Sequence, residues 1–240
     1  MLQTIVLTVI AAFFGGAVQA SAGFGIAIVM MVILPAVMPA AEFSILIPFV
    51  GLPSIGFLAI KHRRDINYKL LILPAILAST LLIISFRIML ATDNTLVIRI
   101  LGGFFIALAI YSLCFSDKIR IPANRVTASI SGVVSGVLSG FFNINGPIMA
   151  MYYVSATKDK NEYYATLQAF FTICIIARVL YVILFIEVPS AILLSLPLSI
   201  GAAILGMLAG GQIFKRLSKD NTEKAIYILM LLSGAWFLLS

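Results

Sequence analysis

Charge is what this chain has least of. Asp, Glu, Lys and Arg together make up 10% of its 240 residues, and histidine occurs once, as His62. Cysteine occurs twice, as Cys114 and Cys174, each inside an apolar stretch and neither in a CxxC or Cys/His spacing. One imidazole and no thiol cluster give a transition-metal carrier or metalloenzyme no ligand set. The two cysteines read as packing residues and say little about redox compartment. Carboxylates are missing from the centres of the apolar segments: Glu42 and Glu162 stand at segment starts, where a first helical turn favours negative charge. No acidic pair marks a cation site or a proton relay, and no Ser/His pair or Asp dyad lies at depth for an intramembrane enzyme. No Gly-xxxx-Gly-Lys loop supports direct ATP drive. The N-terminal stretch lacks a positive n-region and a small-residue cleavage site, so it is expected to remain as a membrane segment.

Hydrophobicity is what the chain does have. At 62% hydrophobic residues and a mean hydropathy of +1.15, there is too little polar surface to cover a soluble globule. The net charge of +7 falls in short clusters between apolar runs, the loop bias of a plasma or inner membrane protein. It forms no basic face or aromatic platform for nucleic acid, which is excluded as a partner. A bilayer core needs about 20 apolar residues per helix. Runs that meet this cover 41–60, 70–90, 96–115, 162–186, 189–214 and 223–239. Stretches 2–40 and 127–157 are apolar but interrupted, the first around Gly23, Phe24 and Gly25, the second around Asn143, Ile144, Asn145, Gly146 and Pro147.

The chain is written twice. Leu73-Pro74 opens a segment that closes on Asp93-Asn94-Thr95, and Leu196-Pro197 opens another that closes on Asp220-Asn221-Thr222. Gly16 falls on Gly136, Ala20 on Gly140, Gly25 on Asn145 and Glu42 on Glu162. In the first copy the basic loop (Lys61, Arg63, Arg64, Lys69) precedes the segment; in the second it follows (Lys215, Arg216, Lys219, Lys224). Lys and Arg concentrate in cytoplasmic loops. Treating 127–157 as one simple crossing would leave Lys158, Lys160 and the Lys215 to Lys224 loop outside. A hairpin that enters and leaves on one side puts every basic residue except Arg87, Arg99 and Arg178 in the cytoplasm. The expected fold is an all-α integral membrane protein, a polytopic helical bundle of two inverted-topology repeats. Each repeat has a broken helical hairpin and three transmembrane helices, 1–115 and 127–240, joined by a cytoplasmic linker 116–126. Small residues at these spacings also suit close helix packing.

Broken backbone at membrane depth must be buried in protein or line a wet cavity. Two tips approaching from opposite faces meet at a midplane site. A break offers free N–H groups and the positive end of a helix dipole, which attract an anion. Asn143, Asn145, Gln19 and Ser21 can add donors, and Gly23, Gly25 and Gly146 let backbone approach a ligand. Gln168 is a further candidate donor or a helix-helix hydrogen bond. Arg178 stands in an apolar span with no carboxylate a turn away; it is either a substrate site or a cation paired with a carbonyl or head group. Arg87 and Arg99, near the Asp93 loop, read as interface anchors.

The Gly23-Phe24-Gly25-Ile26-Ala27 break, paired with Gly140-Phe141-Phe142-Asn143-Ile144-Asn145-Gly146-Pro147 and followed by Tyr152, resembles the TauE/SafE family of membrane transporters, over nearly the whole chain. Asn145 before Gly146 and Ile148 after Pro147 depart from that family's commoner Gly-Gly-Pro-Pro. The resemblance implies a permease or exporter of sulfite or small organosulfonates, and extends the site to Phe24 and Pro147. The expected partners are a small anion, the lipid bilayer, a coupling proton exchanged through Glu42 or Glu162, and a second copy in a homodimer; no cofactor is expected. A passive anion channel and a carrier of another organic anion, such as a carboxylate, remain the alternatives.

Overall fold

In lipid every backbone N–H and C=O must find a partner within its own segment, and helices satisfy this. The computed structural model describes the backbone of residues 2–115, 122–213 and 219–239, with the side chains of 21–22, 112–115, 191, 211–213 and 219–226 excepted. The side chains of Ser21, Cys114, Lys118, Arg120, Lys215, Arg216, Lys219, Asp220, Asn221, Thr222 and Lys224 lie outside the described residues.

The described elements are all helical. In chain order they are α1 (Leu2–Ala22), α2 (Ile26–Ile33), α3 (Ala40–Lys61), α4 (Tyr68–Leu90), α5 (Asn94–Phe115), α6 (Arg125–Phe142), α7 (Gly146–Ala156), α8 (Lys160–Phe185), α9 (Ser190–Ile213) and α10 (Lys219–Leu239). Seven helices among the described residues are long and apolar enough to cross a membrane, so this is a multi-pass membrane protein. Both interrupted stretches fold as unequal hairpins. The long arms α1 and α6 have 21 and 18 residues, the short arms α2 and α7 have 8 and 11. At 1.5 Å per residue the short arms reach roughly half the depth of the bilayer core.

Local sequence sets the helix starts. Asn67 accepts from the amides of Lys69 and Leu70 to cap α4, Asp159 from those of Asn161 and Glu162 to cap α8, and Asn124 forms a capping box with Thr127 at α6. Asn67 also ties α4 to α8, donating its backbone N–H to Thr166 and its side-chain amide to Glu162.

Glycine sets how the helices pack. Gly132, Gly136 and Gly140 run down α6 against Pro74, Ala78 and Ser85 of α4, in ascending order along both chains, so the two helices are parallel. A Cβ on Gly136 would stand 2.5 Å from the Ala78 carbonyl. The parallel α1/α9 seam is built likewise, with Gly16 against Ala203, Gly206 against Phe13 and Gly210 against Ala17. α5 and α10 cross antiparallel, for Phe237 and Leu238 lie beside Gly102 while Phe105 and Ile106 lie beside Gly234. α3 packs on α8. Exchanging each element with the one five places on maps α1/α9 onto α6/α4 and α3/α9 onto α8/α4, and leaves α3/α8 and α5/α10 unchanged. The glycines along the long arms thus serve close packing.

Candidate functional site

Both long arms end by the same backbone device. Gly23 closes α1 at φ 83° with its N–H on the Gln19 carbonyl at 3.0 Å. Asn143 closes α6 at φ 52° with its N–H on the Ser139 carbonyl at 2.9 Å. Left-handed closure suits Gly first and Asn second. Gly25 at φ 134° is a conformation only glycine takes readily, and a Cβ there would meet Val18 Cγ1 at 2.5 Å. In the second half Gly146 and Pro147 already belong to the first turn of α7, where proline loses no needed hydrogen bond. The interruption there is Asn143 to Asn145, and Pro147 starts a helix rather than breaking one.

The two tips touch. A Cβ on Gly146 would lie 3.0 Å from the Cβ of Phe24. Between them is a cavity of about 50 Å³, enough for a few waters or one compact anion. It is lined by Gln19, Phe24, Gly25, Asn143, Asn145, Gly146, Pro147 and Arg178. Apolar walls come from α2 to α4 and α8, among them Ile28, Ile47, Leu82 and Phe171. The first turns of α2 and α7 both border it.

Each tip is latched to α8 by a different chemistry. Gln168 Nε2 donates to the Gly23 carbonyl at 2.6 Å, and Gln19 Nε2 donates to the same oxygen at 2.9 Å. Gln19 Oε1 accepts from the Ile26 amide at 3.4 Å, bridging the α1/α2 break. On the other side Arg178, 1% exposed, caps the end of α6. Its Nη1 donates to the Ser139 carbonyl and to Asn143 Oδ1, both at 2.6 Å, and its Nη2 donates to the Gly140 carbonyl at 2.8 Å. A cation at a helix C-terminus is favoured by the dipole. The guanidinium also stacks 3.9 Å over the Phe86 ring. Two donors at this place remain without a partner, Arg178 Nε and Asn143 Nδ2. Buried polar groups are nearly always paired. Here both unpaired atoms are N–H donors, on residues that line the cavity, and no carboxylate lines it.

Residues 8–237 match the family described as Sulfite exporter TauE/SafE. The chain belongs to the TauE/SafE family. No curated protein and no solved structure matches it. TauE/SafE proteins are membrane transporters, of the sulfite-exporter type.

In this TauE/SafE chain the candidate residues divide by position. The cavity gathers Gln19, Phe24, Gly25, Asn143, Asn145, Gly146, Pro147 and Arg178. Gly23 and Gln168 stand behind the first tip and position it, with Tyr164 beside Gly23. Ser21 lies outside the described side chains. Arg178 does not reach for head groups; it is committed to α6. Sequence reasoning missed Ser139, whose carbonyl holds Arg178, and Cys174, which lines the cavity below Asn145. Both had a signal, since Ser139 is the counterpart of Gln19 and Cys174 is one turn before Arg178 on the same helix face. Glu42 and Glu162 do not line the cavity, and Glu162 accepts from Asn67 and from the Lys158 amide. Among the described residues no group of His, Cys, Asp or Glu is arranged to hold a metal.

Proposed function

We propose that this protein is a secondary carrier of a small anion, sulfite or a short organosulfonate, working by alternating access at the cavity between the two hairpin tips. The observation that carries this is the pair of unpartnered donors, Arg178 Nε and Asn143 Nδ2, in a small cavity with one cation and no carboxylate. An oxyanion supplies the acceptors those donors lack, and the buried positive charge offsets the cost of removing an anion from water. The apolar walls suit a substrate whose polar end is compact. The family description supports sulfur oxyanions.

The two halves are read as inverted repeats in a plasma or inner membrane. Support comes from the flipped basic loops and from the antiparallel crossing of counterpart helices α5 and α10. Counterparts related by an axis along the membrane normal would run parallel at their own contact. An axis in the membrane plane makes them antiparallel. Access from either side then follows from loosening one tip or the other.

The test is exchange of radiolabelled sulfite and methanesulfonate across proteoliposomes containing the folded protein. Saturable flux of either supports the carrier. Flux that rises linearly with concentration identifies a channel, and saturable flux of acetate alone moves the assignment to carboxylates.

A further inference from the structure

α3 and α4 are consecutive and joined by a short loop, yet they barely touch each other; each packs on α8 instead. The space they leave is a groove of about 540 Å³ whose floor includes Gly56, Ala59 and Ala169. Ile173 and Ile176 line it and also line a second hollow of about 520 Å³ between α4 and α8 that reaches Leu180. The two hollows follow one another along α8. From Ala169 to Leu180 they run about 16 Å at the helical rise per residue, close to half the roughly 30 Å hydrocarbon core. That is the length an acyl chain occupies in one leaflet.

The chemistry changes at one end only. Arg63 is the single charged residue lining the groove, and Tyr68, 58% exposed, stands beside it. Lys61, Arg64 and Lys69 flank them in the loop, against Asp65 within it and Glu162 of α8, which is bonded to Asn67. Charge bias places this loop in the cytoplasm, at the head-group level where Tyr and basic residues concentrate. Hydrocarbon walls one leaflet deep with a basic mouth match one kind of molecule. None of the groove's lining residues lines the cavity between the tips.

We propose that this groove binds an anionic phospholipid of the cytoplasmic leaflet, with one acyl chain laid along α8 and the phosphate at Arg63. Gly56 gives the test its handle, since a Cβ there would meet nothing within 4 Å, so a larger side chain fills the groove without disturbing the helix. The full-length protein is placed in nanodiscs with equal phosphatidylglycerol and phosphatidylcholine of one chain length, and retained lipid is counted by native mass spectrometry. Phosphatidylglycerol is expected to be kept at least fivefold over phosphatidylcholine. Gly56→Leu should cut retention of both at least fivefold, while Arg63→Gln should keep total lipid and lose the preference. Equal retention of the two lipids by the unaltered protein overturns the proposal, as does retention unchanged by Gly56→Leu. Should Gly56→Leu fail to insert, spin-labelled lipids on the unaltered protein decide. A larger motionally restricted fraction for phosphatidylglycerol than for phosphatidylcholine supports the site, and equal fractions overturn it.

Discussion

Arg178 uses its two ends differently. The terminal nitrogens are spent on Ser139, Gly140 and Asn143, while Nε has no protein partner. Its removal therefore acts on stability and transport together. Hydrogen bonds to a charged donor contribute about 1.5 to 3 kcal/mol each, so Arg178→Gln is expected to lower stability by on the order of 3 kcal/mol and to abolish flux; a melting curve and a flux assay on the same preparation check both. Arg178→Lys keeps the charge and loses the planar fork. It should stay folded with apparent affinity reduced at least tenfold. Unchanged flux in either variant would leave Arg178 as a helix cap alone. At Asn143 the backbone and the amide can be separated because of its φ of 52°. Asn143→Gly keeps the closure but loses both the free donor and the Oδ1 that accepts from Arg178, so it is expected to cost about 1.5 to 3 kcal/mol of stability while KM rises. Asn143→Ala loses the closure as well and should destabilise by about 1 kcal/mol more than Asn143→Gly.

Among elements, the hairpins were the most legible in sequence. Their interruptions could be read because two amides, a proline and clustered glycines are costly in lipid unless used, and the flipped charges made each a same-side turn. Span boundaries came within a few residues, α4 beginning at Tyr68 where hydropathy placed residue 70. The purpose of the glycines could not be read. Spacing alone does not say whether Gly136 serves a neighbour's backbone or a ligand, because that depends on which helix lies opposite, and α4 against α6 is a long-range pairing. Their roles predict contrasting variants. Gly136→Leu and Gly206→Leu should prevent the α4/α6 and α1/α9 seams from closing and abolish monodisperse folded protein. Gly201→Ala and Gly103→Ala, whose Cβ positions are open, should leave folding unchanged, as size-exclusion profiles will report.

For the whole molecule, the fold class and the meeting of the two breaks at one cavity followed from sequence, since composition and loop charge act at long range in the same way in any helical membrane protein. The roles of Arg178 and Gln168 did not, because each depends on a carbonyl contributed by another segment. Topology is open to direct measurement: cysteines introduced at residues 66 and 159 should react only from the cytoplasm and one at 93 only from outside. Charge selectivity offers another measurement. A single buried cation without a counter-carboxylate balances one negative charge, and an uncompensated second charge is costly to bury. Methanesulfonate should be carried and sulfate should not. Sulfite flux should rise as pH falls, because bisulfite, the singly charged form, gains at the expense of the dianion; methanesulfonate flux should show no such rise.

The unequal latches on α8 have a consequence for the transport cycle as a whole. Charge-assisted hydrogen bonds are roughly twice as strong as neutral ones, so the α6 tip, held to α8 by a guanidinium, is fastened more firmly than the α1 tip, held to α8 by the Gln168 amide. A machine with mirrored halves and identical clasps would idle evenly between its two faces. On the proposed cycle, the tip held by Arg178 is the one expected to release last, and an anion that meets Arg178 is expected to loosen it.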